Sequence, residues 1–124
     1  MRRNTRNFLL GNTGVGSNHP VTIQSMCNTA TSDAAKTLAQ INEVAQAGCD
    51  IIRVSADKDE DIRALYEITA ASPIPVIADI QFASEMAVKA IDAGCSAIRV
   101  NPGIIRDADS LRTLAAKAVE TNTP

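Results

Sequence analysis

The 124-residue chain is 45% hydrophobic, 21% charged and 2% aromatic, with a formal net charge of −2. This balance suits one soluble globular unit with an aliphatic core; it argues against general nucleic-acid binding and against base stacking on aromatic platforms. No apolar run follows the basic start and no stretch reaches the roughly 18 apolar residues of a membrane span, so the cytoplasm is the expected compartment and no membrane partner is expected.

The first 20 residues fit neither long strands nor helices. Phe8–Leu10, followed by Gly11-Asn12-Thr13-Gly14-Val15-Gly16, reads as a short hairpin. Its glycines do not make a nucleotide-phosphate loop: no Gly-Lys-Ser/Thr follows, and no strand-to-helix step crosses them. His19, the single histidine, precedes the first long strand, which is the wrong end of a parallel barrel for catalysis.

Four strand-plus-helix units follow. The first strand is read at Val21–Met26; Thr31 or Ser32 then caps a helix with the apolar stripe Ala34, Leu38, Ile41 and Ala45, closed by Gly48. The second strand is read at Asp50–Ser55, with a helix from Asp59 to Ala71 carrying Ile62, Leu65, Tyr66 and Ile68 and stopped by Pro73. The third strand is Pro75–Ile80, with Ser84 capping the helix that ends at Gly94. The fourth is Ala97–Asn101. Its helix is capped near Asp107 or Asp109 and buries Leu111, Leu114, Ala115, Ala118 and Val119, the i, i+3, i+4, i+7, i+8 pattern of one face. Strand–helix alternation at this pace implies parallel strands joined by right-handed crossovers. A (β/α)₈ barrel needs about 250 residues. The expected architecture is therefore α/β, half a barrel of four parallel βα units behind an N-terminal hairpin; a small doubly wound sheet is the alternative.

The second and fourth units share a repeat. Ala47-Gly48-Cys49-Asp50-Ile51-Ile52-Arg53-Val54 returns as Ala93-Gly94-Cys95-Ser96-Ala97-Ile98-Arg99-Val100. Each copy ends a helix at glycine, begins a buried strand and sets an arginine among Ile and Val. Side chains alternate along a strand. Ile52 and Val54 thus oppose Arg53 and Ser55; Val76, Ala78 and Ile80 oppose Ile77, Asp79 and Gln81; Ile98 and Val100 oppose Arg99 and Asn101. With Gln24 from the first strand, the polar set crowds the C-terminal strand ends, where parallel barrels bind ligands. Arginine forks hold phosphate bidentately and stay charged when partly buried, so a small phosphorylated metabolite is the expected ligand. A structural Arg–Asp network through Asp79, on the strand between the arginines, is the competing reading. Asn101-Pro102-Gly103 makes a tight turn whose amides can face an anion.

Cys27, Cys49 and Cys95 show no CxxC or Cys/His spacing. They read as packing residues in a reducing compartment, and no metal site is expected in this chain.

Val21-Thr22-Ile23-Gln24-Ser25-Met26-Cys27-Asn28-Thr29 resembles the "VQSMTNT" segment of the 4-hydroxy-3-methylbut-2-enyl diphosphate synthases, iron–sulfur enzymes of non-mevalonate isoprenoid synthesis. The resemblance continues in order through Ala47–Val54, Pro75-Val76-Ile77-Ala78-Asp79-Ile80 and Ile98-Arg99-Val100-Asn101-Pro102-Gly103, and includes the opening Arg2-Arg3-Asn4-Thr5-Arg6. It implies an N-terminal TIM barrel that binds 2-C-methyl-D-erythritol 2,4-cyclodiphosphate. It also implies a separate C-terminal domain with a [4Fe–4S] cluster on three cysteines and a glutamate, a two-electron ring opening, and flavodoxin or ferredoxin as electron donor. By the same resemblance Arg53 and Arg99 hold the diphosphate, Asn101, Gln24, Ser25 and Gln81 line the substrate site, and Asp79 is the catalytic polar or acid–base group.

Three departures stand out. Gln81 replaces the histidine of the family's "DIHF" and cannot shuttle a proton near neutral pH. Ile104-Ile105-Arg106 replaces the end of "NPGNIG", removing an amide and offering a third cation in Arg106. Cys27 replaces the threonine of "SMTNT". The 124 residues read as one domain, the first half of the barrel, with no cofactor of its own and without the cluster domain; alone it is expected not to catalyse the reductive step. Two open strand edges point to a homo-oligomer. The alternatives are a pterin-binding barrel similar to dihydropteroate synthase and a non-catalytic, self-associating half-barrel.

Overall fold

The repeated Ala-Gly-Cys is a helix end in both of its copies, and it sets where the second and fourth strands of the array begin. In a computed structural model describing residues 2–124, an antiparallel hairpin of β1 (Phe8–Leu10) and β2 (Thr13–Val15) precedes four βα units. These are β3 (Gln24–Met26) and α1 (Ala34–Gln46), β4 (Ile51–Ser55) and α2 (Asp59–Ala71), β5 (Val76–Ile80) and α3 (Ser84–Asp92), and β6 (Ala97–Val100) and α4 (Ala108–Thr121). The last four strands form one parallel sheet in chain order, β3-β4-β5-β6. This is the α/β half-barrel behind a hairpin that the sequence implies.

After α1, Gly48 takes φ +98°; its amide donates to the Ala45 carbonyl and the Cys49 amide to Val44. After α3, Gly94 takes φ +89°; its amide donates to Ile91 and the Cys95 amide to Ala90. These paired bonds are Schellman closures, which need a left-handed residue and so favour glycine. The cysteine that follows tucks against the helix end, and both Cys49 and Cys95 are buried. The strand then starts two residues on, which is why the arginine recurs at the same depth in β4 and β6.

Boundaries differ from the sequence reading where local chemistry decides. The first strand keeps only Gln24–Met26 of Val21–Met26, because it lies at the sheet edge and pairs only with β4; Val21 and Ile23 are exposed. The cap of α1 is Asp33, whose carboxylate accepts from the Lys36 amide, rather than Thr31 or Ser32. Ser84 is the first residue of α3 and the cap position is Ala83, with no side-chain bond. Asp107 caps α4 as expected, through the Ser110 amide. In α2, Tyr66 is exposed beside the buried Ile62, Leu65 and Ile68. In α4 only Leu114 is buried, Leu111 and Ala118 are half-buried against the core, and Ala115 and Val119 face outward, since α4 packs on α3 with one flank.

Two apolar layers result. Ile52, Val54, Val76, Ala78 and Ile80 meet Ile41, Leu65, Ile68, Ala87 and Ile91 between sheet and helices. On the opposite face, Ile51, Ile77 and Ala97 pack with Leu10 and Val15 of the hairpin. The hairpin therefore floors the N-terminal end of the lumen. At the other edge of the sheet, the Ile98 amide donates to the Pro124 carbonyl at 3.0 Å, as the Ile52 amide donates to Pro75 at 3.0 Å. Pro124 thus stands beside β6 as Pro75, the residue before β5, stands beside β4.

Candidate anion-binding mouth

Register puts the chemistry on the lumen face. Arg53 pairs with Ile77, Ile77 with Ala97, and Asp79 with Arg99. Arg53 and Arg99 are thus offset by two residues across two strand steps. That is the stagger by which a tilted barrel brings alternate strands into one layer. Asp79 reaches both arginines. Its Oδ2 lies 3.2 Å from Arg53 Nε, and its Oδ1 accepts from an Arg99 terminal nitrogen at 3.0 Å. Gln81 Nε2 donates to the same Oδ1 at 2.8 Å, while the Gln81 amide donates to Asp57 at 2.8 Å.

The carboxylate is 2% exposed, and the arginine side chains are 30% and 43% exposed. A buried carboxylate requires compensation by charge or hydrogen bonds, and Asp79 has both. The arginines are less well served. Arg53 Nε is buried without a hydrogen-bond partner, since its approach to Asp79 is close but misaligned. One Arg53 terminal nitrogen donates to the Met26 sulfur at 3.3 Å, a weak acceptor. Two guanidinium groups against one carboxylate leave a net charge of +1 and several N–H groups open to the lumen. Beneath them is a hollow of about 480 Å³, lined by Gln24, Ile51, Arg53, Ile77, Ala97 and Arg99 and floored by the hairpin.

The residues expected at the site divide cleanly. Arg53, Arg99, Asp79 and Gln81 come together, and Gln24 lines the hollow below them. Ser25 pairs in register with Ile52, on the face beneath the helices. Asn101 turns into its own loop, its Oδ1 accepting from the Gly103 amide. Arg106 donates from Nε to the Gly103 carbonyl and lines an outer groove with Phe82 and Ile104. The contact that sequence reasoning missed is Met26 on Arg53. The alternation rule pointed to it, since Met26 shares parity with Gln24.

The family model described as the GcpE TIM-barrel domain matches residues 5–124. The chain belongs to the GcpE family. It is 54% identical over 117 residues to the 4-hydroxy-3-methylbut-2-en-1-yl diphosphate synthase (flavodoxin) of Mycobacterium bovis BCG, which covers 94% of this chain and 30% of that protein. It is 51% identical over 117 residues to the enzyme of the same name from Corynebacterium jeikeium, with the same coverage. The chain thus spans about 30% of the length of these curated relatives. Among solved structures, 7,8-dihydropteroate synthase from Vibrio fischeri matches with a TM-score of 0.71 at 13% identity, over 97% of this chain and 47% of that one. At that identity the likeness concerns the fold alone and carries no pterin chemistry.

The residues present do not fit an iron–sulfur cluster. Among the described residues no three His, Cys, Asp or Glu side chains gather as metal ligands. All three cysteines are buried and unpaired by disulfide. Burial, then the proximity of Cys49, pushes the Cys27 thiol up to about 11, and burial pushes Cys95 up to about 12. Both thiols stay protonated to well above pH 8, so Cys27 and Cys95 are expected to react with an aromatic disulfide reagent at pH 8 only after unfolding. Rapid labelling of either in the native chain would contradict that protection. No helix among the described residues is long and apolar enough to cross a membrane.

Proposed function

We propose that this chain forms the phosphate-gripping side of the substrate mouth of a 4-hydroxy-3-methylbut-2-enyl diphosphate synthase. The ligand is the cyclic diphosphate of methylerythritol. Arg53 and Arg99 take the phosphoryl oxygens, Gln24 and Gln81 supply neutral hydrogen-bonding groups around them, and Asp79 acts first as a brace for the arginines. One observation carries the reading: two arginines from alternate strands converge over one open hollow with only a single carboxylate between them. A diphosphate brings the negative charge that this arrangement lacks, and arginine forks match its oxygens. Asn101 joins the ligand only through a change of side-chain direction, and Ser25, on the helix face of its strand, stays away from it while β3 keeps its register.

Residues 1–124 are proposed as one unit working in the cytoplasm. The name of the mycobacterial relative contains flavodoxin, which supports flavodoxin as the electron donor of the full reaction. The burial of all three cysteines, with no cluster of metal-ligating side chains among the described residues, supports the view that the redox step is performed elsewhere than in these residues, so the 124-residue polypeptide binds but does not turn over.

Calorimetric titration with 2-C-methyl-D-erythritol 2,4-cyclodiphosphate tests the binding half. Saturable heat is expected from the diphosphate and none from methylerythritol without phosphate. No heat from either, or equal heat from both, overturns the reading. Reductive turnover by the isolated polypeptide, with reductant supplied, overturns the second half.

A further inference from the structure

We propose that Met26 is a positioning residue for Arg53, and that a hydroperoxide weakens the anion site by oxidising it. The inference rests on the reading of Arg53 as a phosphate ligand. Met26 and Arg53 are register partners on β3 and β4, so both point into the lumen. The Met26 sulfur accepts from an Arg53 terminal nitrogen at 3.3 Å, while Asp79 stands against Nε on the other side.

A thioether is a neutral and weak acceptor. It directs one end of the guanidinium without cancelling any of its charge. A carboxylate in that place would neutralise Arg53, and an aliphatic side chain would leave that end unguided. Met26 therefore aims the fork and leaves its charge to the anion.

The same sulfur is open to oxidation. Met26 is 40% exposed, whereas Met86, Cys27, Cys49 and Cys95 are all at 8% or less. Hydrogen peroxide transfers one oxygen: the S–O bond forms as the O–O bond breaks, the thioether loses two electrons, and the peroxide leaves as water. The sulfoxide oxygen is a strong acceptor where the sulfur was a weak one. It holds the Arg53 N–H groups that would otherwise meet phosphate.

The test is calorimetric titration of the full chain with inorganic pyrophosphate, before and after hydrogen peroxide, with one added oxygen on Met26 verified by peptide mass. Oxidation of the wild type is expected to raise Kd about fivefold, the scale of one competing hydrogen bond. Met26→Leu is expected to bind about threefold more weakly without treatment and to be indifferent to peroxide. Unchanged affinity after verified oxidation overturns the proposal, as does an equal peroxide effect in Met26→Leu. Arg53→Ala separates the two levels. If it binds pyrophosphate like wild type, the phosphate reading falls together with this one. If it loses binding while oxidation of Met26 has no effect, this proposal alone falls.

Discussion

Replacing Asp79 with alanine is expected to lower the folding free energy by about 2–3 kcal/mol, read as a drop in the urea midpoint at unchanged slope. Among the described residues the Asp79 carboxylate is the one charged group that is buried, at 2% exposure, and three side chains converge on it. Removing it leaves two guanidinium groups facing each other over a void, and Gln81 Nε2 loses its acceptor. The cost stays below that of a fully buried broken pair because both arginines retain access to water, which screens them. Asp79→Asn is expected to fall between wild type and alanine. Its oxygen can still serve Arg99 and Gln81, but its amide nitrogen then opposes Arg53 Nε, donor against donor. A stability of Asp79→Ala within about 0.5 kcal/mol of wild type would show that the network is not held by this residue.

Much of this network is legible in the sequence because strand alternation is strict. Once Ile52 and Val54 are assigned to the helix side, Arg53 must face the lumen, and the 46-residue repeat carries the same logic to Arg99. Asp79 follows from its parity with Ile77 on the strand between. The same rule separates Gln24 from Ser25, which cannot both face a ligand from one regular strand; motif likeness groups them, and the register divides them. Asn101 escapes the rule because β6 ends at Val100. Beyond that point local hydrogen bonds, here Asn101 to Gly103, decide where a side chain goes. The stripe of α4 is less buried than its periodicity implies for another reason. Periodicity states which side of a helix is apolar, but the share that is buried depends on what packs over it, and Val119 is left 82% exposed. The cap at Asp33 displaced Thr31 and Ser32 because the helix begins where a carboxylate can reach the Lys36 amide.

The charge count at the mouth leads to the second large effect. Arg53→Ala and Arg99→Ala are each expected to weaken pyrophosphate binding by about a hundredfold, and the double variant by only a few-fold more. Two independent ligands would instead multiply, to about ten-thousandfold. They are not independent, because Asp79 joins them. With both present the trio carries +1. Without Arg53, Oδ2 of Asp79 is released while Oδ1 already holds Arg99; the Arg99 fork can then pair with both oxygens, which is its strongest geometry. The remaining cation is thereby neutralised and turned from the anion. Without Arg99, the freed Oδ1 draws Arg53 in the same way. The first substitution thus removes one ligand directly and disarms the other, and little is left for the second to remove. Arg53→Lys tests the geometry separately from the charge. A lysine keeps +1 but offers a point charge in place of a fork, so it should recover only part of the loss. Calorimetric titration at two salt concentrations reads all of these, since an electrostatic site loses affinity as screening grows. Strict additivity of the two arginine substitutions would mean that each meets the anion on its own, with Asp79 no more than a neighbour.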